Sequence, residues 1–351
     1  PAQVRLTVLL RHVKEDPGIL PYAKSTGFTL PGHGTVYPNC GKPVPNGCDN
    51  YRMHPDGKVF IRVKKSSCRR KSCPVCFEAW CSCEAERSLK RIASYLYSPD
   101  IIQALEVRSR NKSFGKATRV FHETYVNCLE DYIKRSLKRR SRYGRPIHLM
   151  VSDPDQDVSF DKKNFLKRRK KAYEIARKSG FKGGSCIPHP YRLVCKKCKS
   201  AIPDYIKVCV KCGESSFMWE KGPHFHMVGF GWIHHTKDIY NSSRYVVKNL
   251  GVRKNVFWTL QYILSHAGVF EDTEPSYSPV RFHTLTWFGD LAYTKLKGVK
   301  KIEVVRSACP YCGSYLKPVE FRGLDKPPDF DEDHPENNEF LASRLDWTFI
   351  Y

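Results

Sequence analysis

The chain has 351 residues, 41% of them hydrophobic, and a formal net charge of +25. That apolar content excludes a disordered tail, and so large a positive excess excludes the near-balance of an ordinary cytosolic enzyme. It points to a polyanionic partner, nucleic acid first, through counterion release.

From the start to about residue 76 the sequence is rich in Gly, Pro and Cys, with short β-like runs such as KVFIRVKK. The opening PAQVRLTVLLRHVKED lacks the apolar core and cleavage site of a signal peptide. No run approaches the ~20 apolar residues of a membrane span, so the expectation is a soluble cytoplasmic chain with no membrane partner. Fifteen cysteines in such a chain predict metal binding rather than disulfides. Cys40, Cys48, Cys68, Cys73, Cys76, Cys81 and Cys83 cluster here with His54 between them. They suffice for one or two zinc sites, and the sequence leaves the pairing open.

Residues 77–97 read as an amphipathic helix leaving the cluster. A second, very basic helical stretch runs from Ala117 to Gly144 and is densest at Lys138, Arg139 and Arg140. RPIHLMVSDP then reads as a strand, and KKNFLKRRKKAYEIARKSG as a helix closed by Gly180 that carries Lys167, Arg168 and Arg169. Both basic patches are expected to contact phosphates.

GGSCIPHPYRLV reads as the next strand, and CKKCKSAIPDYIKVCVKC follows it. Random placement of the cysteines would give CxxC roughly 0.6 times, yet four are present: Cys73/Cys76, Cys195/Cys198, Cys209/Cys212 and Cys309/Cys312. The middle two have the spacing of a zinc ribbon, a closed structural site of four thiolates. Cys309/Cys312, in ACPYCGSYL, is half a site whose partners must come from elsewhere; His283 and the N-terminal cysteines are candidates. Cys128 and Cys186 read as buried small hydrophobes.

HFHMVGFGWI is strand-like, so His224 and His226 share one face while Phe225 and Met227 turn to the core. Two imidazoles side by side on the exposed face suit one divalent ion. RYVVKNLGV reads as another strand. NVFWTLQYILSHAG reads as a helix from an Asn255 N-cap to a Gly268 stop, with Tyr262 and His266 one turn apart on the same face. The alternative pattern in YVVK, Tyr245 with Lys248, ranks second because a strand puts the two on opposite faces. Near the end, DKPPDFDEDHPENNEF reads as an acidic surface connection, and LDWTFIY wants burial. The order of these elements predicts an α+β domain with an antiparallel sheet flanked by helices.

In order and spacing, HLMVSDP, GGSCIPHPYR, KGPHFHMVGFGWI, VVKNLG and TLQYILSHAG resemble the motifs of the HUH endonuclease superfamily. More closely, they are similar to the rolling-circle replication initiators of archaeal plasmids and viruses, as is the CRRKSCPVC finger. The resemblance implies an HUH-type sheet over residues 147–300 with a ribbon insertion at about 193–215. A cysteine-rich zinc module at 1–100, a basic connector at 101–146 and a C-terminal segment at 301–351 would flank it. It implies a nickase in which Mn²⁺ or Mg²⁺ at His224 and His226 polarises the scissile phosphate of single-stranded origin DNA. Tyr262 would attack, leaving a 5′-phosphotyrosine and a free 3′-OH, and the reverse step would rejoin the ends. Many such initiators carry a lysine three or four residues after the tyrosine; here Ser265 and His266 stand there, and likeness to single-tyrosine transposases makes His266 the third ligand. Zn²⁺ would fill two or more structural sites. No GxxxxGK[ST] is present, so a host helicase and polymerase are the implied partners. A transposase or relaxase of the same superfamily, or a non-catalytic multi-zinc nucleic-acid-binding protein, are the other readings.

Overall fold

A computed structural model describes residues 28–36, 38–68, 70–97, 99–112, 118–139, 145–154, 162–202, 207–270, 283–296, 308–329, 331 and 338–350. They form a mixed α+β protein with two five-stranded antiparallel sheets, one two-stranded pair and six α-helices. In chain order the first elements are β1 (Phe28–Thr29), β2 (Pro43–Gly47), β3 (Val59–Lys65), α1 (Phe77–Leu96), α2 (Pro99–Lys112) and α3 (Thr118–Arg139). The middle of the chain supplies β4 (Ile147–Ser152), α4 (Lys162–Lys178), β5 (Phe181–Cys195), β6 (Phe217–Gly231), α5 (Thr236–Ser243) and β7 (Val246–Val252). The remainder is α6 (Val256–Ser265), β8 (Val269–Phe270), β9 (Thr286–Gly289), β10 (Lys317–Phe321), β11 (Glu339–Ala342) and β12 (Trp347–Phe349). Among the described residues no helix is long and apolar enough to cross a membrane.

The chain divides into two compact units, and the division is not the linear one expected from the sequence. One unit takes residues 1–36, 69–102 and 126–299; the other takes 37–68, 103–125 and 300–351. The boundary expected at residue 100 fails because α1, assigned to an N-terminal module, packs on α6. The C-terminal segment is not separate either, because its strands pair with the N-terminal hairpin.

In the larger unit the sheet order is β7-β4-β6-β5-β9, so the histidine-bearing β6 is central. Strand alternation sends Leu149, Val151, Phe225 and Met227 to one face, where Phe165, Ala172, Ile175 and Ala176 of α4 close over them. Phe225 and Met227 are wholly buried, worth about 2–3 kcal/mol each. Over the other face lies α6, with α1 packed against it and Gln261 Nε2 donating to Ser82 Oγ at 2.8 Å. As expected, α4 ends at Gly180, whose φ of +90° suits glycine.

The smaller unit holds the sheet β11-β3-β2-β10-β12. Val59, Ile61 and Val63 of β3 bury against Val319, Trp347 and Phe349, which is the burial LDWTFIY asked for.

Candidate metal centres

Antiparallel register explains how the histidines meet. His226 of β6 stands opposite Ile187 of β5 and Met150 of β4; His224 stands opposite His189 of β5 and Ser152 of β4. Directly opposed residues share a face, so one more histidine, His189, joins the pair. The ligand nitrogens of His189, His224 and His226 all lie within 4.8 Å of one another. The exposed face expected for the pair is in fact covered: α6 lies over it, leaving the three rings 1%, 7% and 9% exposed.

Hydrogen bonds to carbonyl oxygens set two of the tautomers. His189 Nε2 donates to the Ile263 carbonyl at 3.0 Å, and His224 Nδ1 to that of Gly222 at 2.7 Å, so each ring keeps its other nitrogen as a lone-pair donor. The third ring is held differently: His148 Nε2 lies 2.6 Å from His226 Nδ1, and an Arg253 Nη lies 3.0 Å from His148 Nδ1. Arginine can only donate, so neutral His148 carries its hydrogen on Nε2 and gives it to His226. The hydrogen of His226 then sits on Nε2, and ligation through that nitrogen requires the His148 tautomer to reverse.

Burial also keeps these rings neutral, the form that binds a cation. His148 is pushed down to about 3, first by burial and then by Arg253 and His266. His224 is pushed down to about 3 by burial and then Arg192, and burial drives His189 and His226 well below the ordinary histidine range.

The expected set was His224, His226 and His266. His266 is close but arranged otherwise: α6 ends at Ser265, and His266 is its C-cap with φ −129° and ψ 23°. Its ring centroid is 4.4 Å from that of His189 and 4.7 Å from that of Tyr262, so it stands between the tyrosine and the cluster. The Asn255 side chain makes no capping bond; Glu130 Oε1 of α3 accepts from the Phe257 N–H at 2.6 Å and caps α6 instead. Gly268 is required by space, since a Cβ there would lie 2.7 Å from Pro190 Cδ. Tyr245 is buried in the core on the α4 side, its hydroxyl donating to Asp153 at 3.3 Å.

The cysteines use one repeated knuckle. Cys195, Cys209 and Cys309 each accept from the N–H four residues on, at 3.0, 2.8 and 2.9 Å. Each also donates its own N–H to the carbonyl five residues on, at 3.0, 2.7 and 2.8 Å. The fourth residue after each, Lys199, Gly213 or Gly313, has a φ between +56° and +74°. In the ribbon Cys195, Cys198, Cys209 and Cys212 converge, with 3.5 Å between Sγ atoms of Cys195 and Cys212 and of Cys198 and Cys209. The Ser200 hydroxyl and N–H hold the Cys198 thiol down to about 6, favouring the thiolate a metal needs.

In the smaller unit Cys309 and Cys312 find Cys48 and His54. Cys309 Sγ is 3.2 Å from His54 Nε2 and Cys48 Sγ is 3.5 Å from Cys312 Sγ, while His54 Nδ1 donates to the Lys58 carbonyl at 3.0 Å. Both four-ligand sets could hold zinc. Cys40 and Cys68 lie 3.7 Å apart at the open end of the β2–β3 hairpin, and Cys73 and Cys76 open α1. Cys81 joins no ligand group among the described residues; burial in α1 raises its thiol well above its ordinary value. Cys83 is exposed, and Cys186 is a buried hydrophobe as expected. His283 lies on another path, its carbonyl accepting from Arg169 at 2.9 Å.

Of the expected phosphate-binding cations, Arg140 lies outside the described residues, as do the side chains of Lys138 and Arg139. Lys167, Arg168 and Arg169 are on α4, on the sheet face opposite the histidines; Lys167 is exposed and Arg168 pairs with Asp153 at 3.4 Å. Sequence reasoning missed His189 as a candidate ligand, and His148 and Arg253 as the groups behind His226. His189 and His148 lie in quoted strands, but only strand pairing shows that they meet the HFH run.

No family model matches the chain, and neither a curated protein nor a solved structure does.

Proposed function

We propose that the larger unit is a metal-dependent endonuclease of the HUH type, which nicks and rejoins single-stranded origin DNA in rolling-circle replication. The observation that carries the reading is the contiguous arrangement of Tyr262, His266, His189, His224 and His226 between the central strand and α6. Three buried neutral imidazoles on strands of one sheet would make a donor set for a divalent ion once the His148 tautomer reverses to free His226 Nε2, and nitrogen donors favour Mn²⁺ over Mg²⁺. An ion there supplies Lewis-acid polarisation of a phosphodiester.

The protein's own residues do the rest. Carbonyls at Ile263 and Gly222 orient His189 and His224, and the Glu130 cap fixes the start of the helix that presents Tyr262. Tyr262 loses its phenolic proton and bonds to phosphorus; the bond from phosphorus to the 3′ oxygen breaks, and that oxygen takes up a proton. The phosphodiester energy is kept in the phosphotyrosine, so a 3′-OH can reverse the step. The burial of Tyr245 on the opposite face supports Tyr262 over it in this role.

The test is incubation of the full chain with a randomised single-stranded oligonucleotide library and Mn²⁺, followed by denaturing electrophoresis and sequencing of the attached strand. A covalent adduct should form, persist in Tyr245→Phe and vanish in Tyr262→Phe. An adduct formed by Tyr262→Phe would overturn the nucleophile, and none from the unaltered chain would favour a binding protein.

A further inference from the structure

Beside the histidines, on the same sheet face, a cleft of about 400 Å³ opens between β4, β5, β7 and the end of α5. Its floor follows from register: Ser152, opposite His224, pairs with Val246 of β7, and Met150, opposite His226, pairs with Lys248. The YxxK pattern is thus split by the sheet, Tyr245 going to the core and Lys248 to this cleft.

The walls are cationic. Arg192 crosses Gly222, where any Cβ would stand 2.9 Å from its side chain, and its Nη donates to Ser152 Oγ at 2.8 Å. That partner is a hydroxyl; no ion pair to Arg192, Arg244 or Lys248 is found among the described residues, although Arg192 is half-buried. A half-buried guanidinium without a carboxylate is an incomplete arrangement that an anion would complete. Asp153, the carboxylate at the rim, is already engaged by Arg168 and the Tyr245 hydroxyl. Tyr240 is 44% exposed, with the Arg244 guanidinium 5.7 Å from its ring centroid.

We propose that this cleft seats one nucleotide of a single DNA strand next to the cleavage site, with Arg192 and Lys248 holding its phosphate and Tyr240 stacking its base. The proposal rests on the nickase reading for the identity of the strand. Aromatic stacking beside a cationic track tolerates any base, so the contact is sequence-independent. The volume suits one nucleotide, and the half-buried Arg192 adjoins His224, so that residue joins the cleft to the metal site.

Fluorescence anisotropy with a labelled dT20 strand tests this in a Tyr262→Phe background, where no covalent step intervenes. Lys248→Ala with Arg192→Ala should weaken binding about tenfold or more and lower the salt slope by roughly 0.7, the value for one phosphate contact. Tyr240→Ala should weaken it about fivefold or more. Arg177→Ala with Lys178→Ala, exposed in the last turn of α4 on the opposite face, should bind as the parent does. Equal losses from both faces, or none from the cleft variants with circular dichroism unchanged, would overturn the proposal. The two readings fail separately: unaltered adduct formation with unaltered dT20 binding removes the cleft alone. Absence of any adduct with cleft-dependent binding removes the nickase alone.

Discussion

The ribbon draws its four sulfurs from one run, residues 195 to 212, whereas the smaller unit's site joins His54 to Cys309 and Cys48 to Cys312 across 255 and 264 positions. The knuckle is the same in both, with the same pair of backbone bonds and the same left-handed residue. What differs is the loop that each metal would close. In the chain-entropy picture a cross-link over a 15-residue loop is worth about 3 kcal/mol and one over a hundred or more residues about 5. The ribbon therefore organises its own hairpin, and the distant site organises a whole sheet, because β2 and β3 reach β10 and β12 beside it.

The largest effect should come from Cys309→Ser. Structural zinc contributes on the order of 10 kcal/mol in small sites, comparable to the entire stability of a domain. One zinc equivalent should be lost by mass spectrometry, and amide protection should disappear across β2, β3, β10 and β12. Cys198→Ser should also lose one equivalent, yet protection should fall only between Cys195 and Phe217, the central sheet being held by its own core. If the two variants unfold the same amides, the difference between a local and an assembled site has no energetic meaning.

That same contrast accounts for what could be read in the sequence. Helices α1, α3, α4 and α6, the strands around the histidines and the ribbon were legible, since each is a periodic or fixed-spacing pattern within one short segment. The Cys48 and His54 partners of Cys309 were not, because a sheet order of β11-β3-β2-β10-β12 is a tertiary choice. His189 fell between these cases: its strand was visible, but its facing His224 depends on a register that includes a shift between His189 and Tyr191. Asn255 misled for a physical reason, since a carboxylate from another helix reaches the α6 amides first. α5 was missed because TKDIYNSS carries polar residues that suit turns equally well.

The histidine cluster extends the comparison to a third assembled site, with a pH signature of intermediate size. Folded His148 and His224 titrate at about 3, and unfolded histidine near 6.5. The folded pKa is depressed, so below about 6.5 the unfolded chain gains protons that the fold refuses. Stability is therefore complete above pH 6.5 and falls as the pH drops towards 3, by about 1.4 kcal/mol per unit for each ring. An ion on His224 would steepen the fall, since it too requires the neutral ring. Urea midpoints at pH 7, 5.5 and 4.5 should decline steadily, and His148→Gln should flatten the decline; a flat profile in the unaltered chain would show that the cluster opens to water.

The smallest effect belongs to Glu130 and has the opposite sign. Its carboxyl is pushed up to about 7, first by burial, against an unfolded value of 4.5. One oxygen accepts from the Phe257 N–H, and Oε2 has no hydrogen-bond partner among the described residues. Here the folded pKa is raised, so its contribution is complete below pH 4.5 and is lost as the pH rises through 7, by up to about 3 kcal/mol. Glu130→Gln keeps an acceptor for the Phe257 N–H while removing the titration. It should change the unfolding free energy from urea titration by no more than about 1 kcal/mol at pH 5, the scale of one helix cap, and exceed the unaltered chain in stability at pH 8. The same variant separates the cap from the chemistry: if adduct formation at pH 5 falls with Glu130→Gln while stability does not, the carboxyl positions Tyr262 through α6 and is more than a structural cap.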